Sequence, residues 1–437
     1  MTGDPRDELE TAPKIARKIE LPALTGLRFV AAFSILFMHA TEWCTPFRGG
    51  GGFFQTIAAV VGIYGMPLFF VLSGFVIHYN YGPRFRDLSY GEALREFFAA
   101  RFARLYPLYI FFFVFGSLSD FTANWLAGYA NDLLAYVLYS ITMTQSWVYV
   151  IVVNHRMVLE NGFGLGWSVS TEFFFYVVYA IFVFLILSVR RPLTCIIVAA
   201  LFSAAAISVL LLAYLHADRL MDIARAQVPD FIDARDDFND SFYRWFFYYS
   251  PYVRIAEFAL GCLTAQLFLA LRDRPVGAAE RRWGQYALGA ALCLLLWYGA
   301  RYGMQVPHSR LQGLVNFFSL NFGCAVPIAV LIFCVARYRS PIEALLSSPR
   351  LVRLGDISYS IYAVHTWTLR PFVRPEVDFN AAFAVDAVLR IAFGIVFTLI
   401  CATATYRLIE IPCRRYLRVK LIGSPAAPPL APSVETA

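Results

Sequence analysis

Charge is what this chain has least of: Asp, Glu, Lys and Arg together make up 15% of its 437 residues. Water-soluble globules carry about 25%, so a soluble domain is excluded, and the apolar content excludes a disordered chain as well. Cysteine is present but unpaired in spacing. The eight residues are scattered through apolar runs with no CxxC, so neither a disulfide framework nor a zinc site is expected, and no metal. Met1–Glu20 lacks an apolar core followed by a cleavage site, so the first apolar run is expected to direct its own insertion. No internal repeat is evident, which weakens a carrier built of inverted halves.

What is there is apolar: 59% hydrophobic and 17% aromatic residues. Runs long enough for membrane crossing recur at Leu21–Cys44, Ile57–Tyr79, Phe102–Ser119, Trp167–Val189, Leu193–His216, Tyr249–Leu271, Trp283–Ala300, Leu314–Ala336, Gly355–Leu369 and Ala381–Leu408. They predict an all-α polytopic membrane protein with about ten transmembrane helices. Counted in alternate loops from a cytoplasmic N-terminus, the inside segments hold 23 of the 37 Lys and Arg and the outside segments 10. The positive-inside rule then places both termini in the cytoplasm. The net charge of +7 is thus a matter of topology, and no nucleic-acid partner is expected. Residues 1–20 read as a cytoplasmic segment, 21–420 as one membrane domain, and 421–437, rich in Pro and Ala, as a disordered tail. Two long outside loops, Asp120–Gly166 and the acidic Ala217–Tyr248, are candidate surfaces for a large polar substrate or simple caps on the bundle.

Ionisable groups at bilayer depth are costly and mark function. Arg28 and His39 are eleven residues apart in the first run. Eleven helical steps return to within roughly 20° of the start and rise about 16 Å, so both share one face at different depths. Glu172, in Trp167-Ser168-Val-Ser-Thr-Glu172 of the fourth run, lies about as deep as His39. A carboxylate paired with an imidazole would fix its tautomer, as a general base requires; for His39 alone, a hydrogen-bonded structural histidine reads equally well. Arg101 and Arg104 share a helix face at the cytoplasmic start of the third run and suit phosphate binding, although positive-inside topology also gathers arginines there. Met66-Pro67 and Ser73-Gly74 permit close helix approach or a narrow passage. Arg254 and Glu257 read as an internal ion pair, Arg407 and Glu410 as another, and His365 as a second site histidine or a capped structural one.

In this order, the pieces resemble the integral-membrane family 3 acyltransferases. They are Arg28–His39, Gly65-Met-Pro-Leu-Phe-Phe-Val-Leu-Ser-Gly74, Arg101-Phe-Ala-Arg104-Leu-Tyr-Pro107, Trp167-Ser-Val-Ser-Thr-Glu172, Tyr359-Ser-Ile-Tyr-Ala-Val-His365 and Glu410-Ile-Pro412. Where the family often has a second acidic residue beside its glutamate, this chain has Ser-Thr-Glu172. The resemblance implies transfer of a short acyl group, usually acetyl, from cytoplasmic acyl-CoA as co-substrate, without a resident cofactor. The acceptor would be a hydroxyl of a carbohydrate, lipid-linked or small-molecule compound, at a bacterial inner membrane. It implies donor binding near Arg28, Arg101 and Arg104. On this reading we take His39 as the base, oriented or charge-compensated by Glu172, and Ser73, Trp167, Ser168, Arg254, Glu257 and His365 as candidates for lining the site. The hydroxyl would attack the thioester directly; an acyl-enzyme through Ser73 lacks an identifiable adjacent base. A proton-coupled transporter or flippase would use the same buried Arg, His and Glu. The unrelated membrane-bound O-acyltransferases pair their histidine with a distant asparagine motif that is not apparent here.

Overall fold

In lipid every backbone N–H and C=O must find a partner within its own segment, and the apolar runs meet that demand as helices. The computed structural model describes residues 20–45, 47–48, 52–128, 130–152, 156–159, 165–234, 238–303, 309–374, 377–378 and 381–423. The expected terminal segments 1–20 and 421–437 lie almost wholly outside the described residues, as does His155 of the first long loop.

The chain opens with α1 (Pro22–Cys44), β1 (Phe47–Arg48), α2 (Gly52–Asp87), α3 (Tyr90–Leu126) and α4 (Ala130–Ile141). A short hairpin, β2 (Ile151–Val152) and β3 (Arg156–Met157), leads to α5 (Gly166–Ser188), α6 (Pro192–Leu215) and α7 (Ala217–Gln227). Then α8 (Phe242–Arg244) and a π-helical turn, Trp245–Tyr249, run into α9 (Pro251–Leu271), followed by α10 (Ala278–Gly303), α11 (Arg310–Leu320) and α12 (Ala325–Arg337). Short helices α13 (Pro341–Leu346) and α14 (Pro349–Asp356) precede α15 (Ser358–Leu369). β4 (Val377–Asp378) pairs in parallel with β1 before α16 (Ala381–Thr405), a π-helical turn at Tyr406–Glu410, and α17 (Ile411–Ile422).

Seven helices among the described residues are long and apolar enough to cross a membrane, and α11 with α12, bent by 42°, makes an eighth if counted as one span. Of the ten expected runs, Trp283–Ala300 lies in the 26-residue α10, diluted by Gln285, Tyr286 and flanking Trp and Tyr. Gly355–Leu369 becomes the 12-residue α15 behind a break at Ile357. The ten-span count therefore exceeds the seven or eight such helices. The loop expected at Asp120–Gly166 is also partly helical, because α3 continues to Leu126 and Leu133–Ile141 falls within α4.

Large apolar side chains stand exposed on the perimeter: Leu193, Leu201 and Val209 on α6, Leu185 on α5, and Phe393 and Ile400 on α16. That belt matches lipid. The centre is formed by α1, α2 and α9. There, a Cβ at Gly74 would run into the carbonyl of Phe258, and one at Gly261 into the carbonyl of Val71. Glycine at both crossing points lets the α2 and α9 backbones touch, the small-residue packing that helices in lipid rely on. Gly261→Val is expected to lower stability by about 1–3 kcal/mol through overpacking. A lower thermal unfolding midpoint in detergent, with Ala at the exposed Gly289 of α10 as control, checks this.

Candidate active site

The Arg28–His39 face of α1 is covered by α15. Arg28 lines a narrow cavity of about 90 Å³ whose wall includes Ser358, Tyr359 and Tyr362 of α15. Farther along, His39 Nδ1 lies 2.8 Å from His365 Nε2. The two rings stack at 5.1 Å between centroids and 14° between planes. Trp43, one turn on, also stacks on His39 at 5.3 Å. Ser358, Tyr362 and His365 are four and three residues apart, so one stripe of α15 follows α1 from the arginine to the histidine. His365 is fully buried, with Nδ1 2.8 Å from the Tyr362 carbonyl oxygen, whereas His39 is only partly buried.

Glu172 takes a different partner from the one its depth suggests. Its Oε1 accepts from Ser73 Oγ at 2.7 Å and from Tyr176 OH at 2.7 Å, and it makes no hydrogen bond to His39. The expected His39–Glu172 pair is replaced by His39–His365. The reason is geometric: position along a helix fixes height in the bundle and leaves rotation about the axis free. Glu172 instead lines the narrow cavity with Ser73, close enough to Arg28 and Arg101 to act on them electrostatically. Tyr176 was not expected, although its position one turn after Glu172 was a readable signal.

Beside Glu172, the motif residues divide their work. Ser168 Oγ and Tyr362 OH are 2.7 Å apart at the cavity wall. Ser170 and Thr171 hold Ser146 of the preceding loop at 2.9 and 3.0 Å, and Trp167 packs edge-on to Phe70 and Tyr249. Arg254 and Glu257 form the expected internal pair at 3.0 Å, both 1% exposed, with Arg254 Nε donating to the Tyr248 carbonyl at 2.9 Å. The Arg407–Glu410 pair does not form. Glu410 is buried, accepts from Ser360 Oγ at 2.8 Å and lies 3.9 Å from Arg414. The π-helical turn at Tyr406–Glu410 changes the angular step, so residues three apart no longer share a face. His78, not singled out from sequence, is fully buried between Gln266 Oε1 at 2.8 Å and Tyr179 OH at 3.1 Å, a satisfied core histidine.

Toward the Arg28 end the narrow cavity meets a vestibule of about 770 Å³, and Arg28, Val76, Arg101 and Arg104 line both. Arg84 and Arg418 add to the vestibule wall. Arg101 donates to Tyr81 OH at 3.1 Å and lies 5.0 Å over that ring, yet its buried Nε has no partner. Among the described residues, no carboxylate forms an ion pair with Arg28, Arg101 or Arg104. Glu172 shares the cavity with them, but one carboxylate leaves three guanidiniums in net positive charge, and the Arg101 Nε, a buried donor of the kind normally satisfied, has no partner, so the cluster describes a site for an anion.

A lipid-belted bundle with an arginine-lined mouth at one end and a histidine pair toward the other defines a multi-pass membrane protein. A family model described as an acyltransferase domain, that of acyltransferase family 3, matches residues 21–407, and the chain belongs to that family. The protein is an acyltransferase. It is 25% identical over 414 residues to acyltransferase MdmB of Streptomyces mycarofaciens, an alignment covering 92% of this chain and 93% of the relative. A segment of 88 residues, 20% of this chain, is 40% identical to protein 2 in the picA locus of Rhizobium radiobacter, covering 39% of it. No solved structure matches.

Proposed function

We propose that the protein moves a short acyl group, acetyl by family expectation, from cytoplasmic acyl-CoA to a hydroxyl of a carbohydrate, lipid-linked or small-molecule acceptor reached from the other side of the membrane. The observation that carries this reading is the junction of vestibule and narrow cavity at Arg28, Arg101 and Arg104, three arginines that line both and outnumber the single carboxylate, Glu172, of the narrow cavity. A wide basic mouth suits the phosphates of a nucleotide thioester, and a thin continuation suits its uncharged arm. The positive-inside count supports the same orientation, with both termini and the vestibule cytoplasmic, and a bacterial inner membrane is the site of action by family expectation.

In this account His39 is the general base. The acceptor O–H gives its proton to His39, its oxygen bonds to the thioester carbonyl carbon, and the carbon–sulfur bond breaks. The thiolate of CoA then takes the proton back from His39, leaving ester and free thiol. Glu172, held by Ser73 and Tyr176, acts in the donor channel as counter-charge to Arg28 and Arg101. Transfer is direct, and Ser73 serves as the hydrogen-bond donor that orients Glu172.

Arg101→Gln and Arg104→Gln test the donor site. A charge-assisted hydrogen bond is worth roughly 1.5–3 kcal/mol, so each variant is expected to raise the acetyl-CoA concentration for half-saturation by about 10- to 100-fold. Binding of labelled acetyl-CoA to purified protein in nanodiscs reads this. Wild-type binding in both variants would remove the arginines from the donor site and leave the transporter reading open.

A further inference from the structure

We infer that His365 is a positioning residue: it holds His39 in the tautomer protonated at Nδ1, so that Nε2 is the basic atom offered to the acceptor hydroxyl. The inference rests on the proposed role of His39 as base and assigns the atom and its orienting partner.

The chain of reasoning starts at a backbone carbonyl. The Tyr362 oxygen only accepts, so His365 Nδ1, 2.8 Å away, carries a hydrogen. A neutral His365 then presents a bare Nε2, and His39 Nδ1, 2.8 Å from it, must donate. That leaves the lone pair of His39 on Nε2, which has no hydrogen-bond partner among the described residues. The alternative is a doubly protonated His365 donating to His39. It would place an imidazolium at bilayer depth with no carboxylate bonded to either ring among the described residues, the costly arrangement.

Accessibility assigns the two roles in the same direction. His365 is 0% exposed with both nitrogens engaged, so no substrate reaches it. His39 is partly exposed with one nitrogen free. A carbonyl and a neutral imidazole thus perform the orienting task that a carboxylate performs in a Ser-His-Asp arrangement. When His39 takes the acceptor proton, the Nδ1–H bond to His365 also lets the second ring share the charge.

Nitrogen NMR of ring-¹⁵N-histidine-labelled protein in nanodiscs tests this without any acceptor, with the His39 signals assigned by their loss in His39→Gln. Wild type is expected to show His39 protonated at Nδ1 and bare at Nε2. His365→Ala should release His39 to the ordinary mixture of tautomers, and His365→Gln, whose amide oxygen still accepts, should keep it. Cleavage of labelled acetyl-CoA, measured in vesicles of the producing cell's membrane that supply the acceptor, should fall roughly 10²-fold in kcat for His365→Ala, with half-saturation unchanged, and stay within about tenfold of wild type for His365→Gln. A wild-type His39 protonated at Nε2 overturns the inference. So does a His365→Ala protein with an unchanged tautomer. If His365→Ala does not fold, the wild-type and His365→Gln spectra decide alone. A correct tautomer with full turnover in His39→Ala would instead refute the base assignment and leave the geometry standing.

Discussion

His39→Ala is expected to lower acyl transfer by roughly 10²- to 10⁴-fold, the usual contribution of a positioned general base. At 1.36 kcal/mol per tenfold, that is about 3–5 kcal/mol of barrier. The loss should fall on turnover and spare donor binding, because the arginine mouth lies about 16 Å away along α1. Wild-type and His39→Ala proteins would be compared for release of CoA from labelled acetyl-CoA in vesicles of the producing cell's membrane, which supply the acceptor, and for its binding to purified protein in nanodiscs. Normal binding with lost release supports the assignment. Wild-type turnover in His39→Ala would require another base, and no other histidine among the described residues faces the Arg28–His39 path with a free nitrogen: His365 and His78 have both nitrogens bonded.

The second large effect concerns stability. Glu257→Leu should cost about 3–5 kcal/mol, the price of leaving a buried charge without its partner. Arg254 is 1% exposed, and beyond Glu257 its polar and ring partners among the described residues are the Tyr248 carbonyl and the faces of Tyr248 and Phe70. Phe70 also lines the narrow cavity, so a shift of Arg254 would reach that cavity. Replacing both partners, Arg254→Met with Glu257→Leu, should recover most of the loss, since a matched apolar pair is often as stable as a buried ion pair. Thermal unfolding in one detergent separates the cases. A double variant no better than Glu257→Leu would mean that Arg254 is needed for more than its partner.

Sequence carried the site's components further than its contacts. The Arg28–His39 spacing, the Arg101–Arg104 pair and the Tyr359–His365 segment were each readable because helical periodicity places residues on a face. Which helix covers that face was not readable. Glu172 and His39 share a depth, yet α5 turns Glu172 toward Ser73 on α2, and α15 supplies His365 to α1. Hydropathy also locates the membrane boundary better than the helix end. The polar Asp120 and Asn124 suggested a loop, while α3 continues to Leu126. At Arg407 and Glu410 the spacing rule itself failed, because a π-helical turn replaces the 3.6-residue period on which it depends.

The central claim is that donor and acceptor meet from opposite faces, the thioester entering at Arg28, Arg101 and Arg104 and the hydroxyl at His39. Acetyl-CoA does not cross a bilayer, so vesicles of the producing cell's membrane, prepared in both orientations, test this directly. The account predicts His39-dependent release of CoA when labelled acetyl-CoA bathes the face bearing Arg101 and Arg104, in inside-out vesicles. Release from right-side-out vesicles alone, or equally from both with the membranes intact, would contradict it.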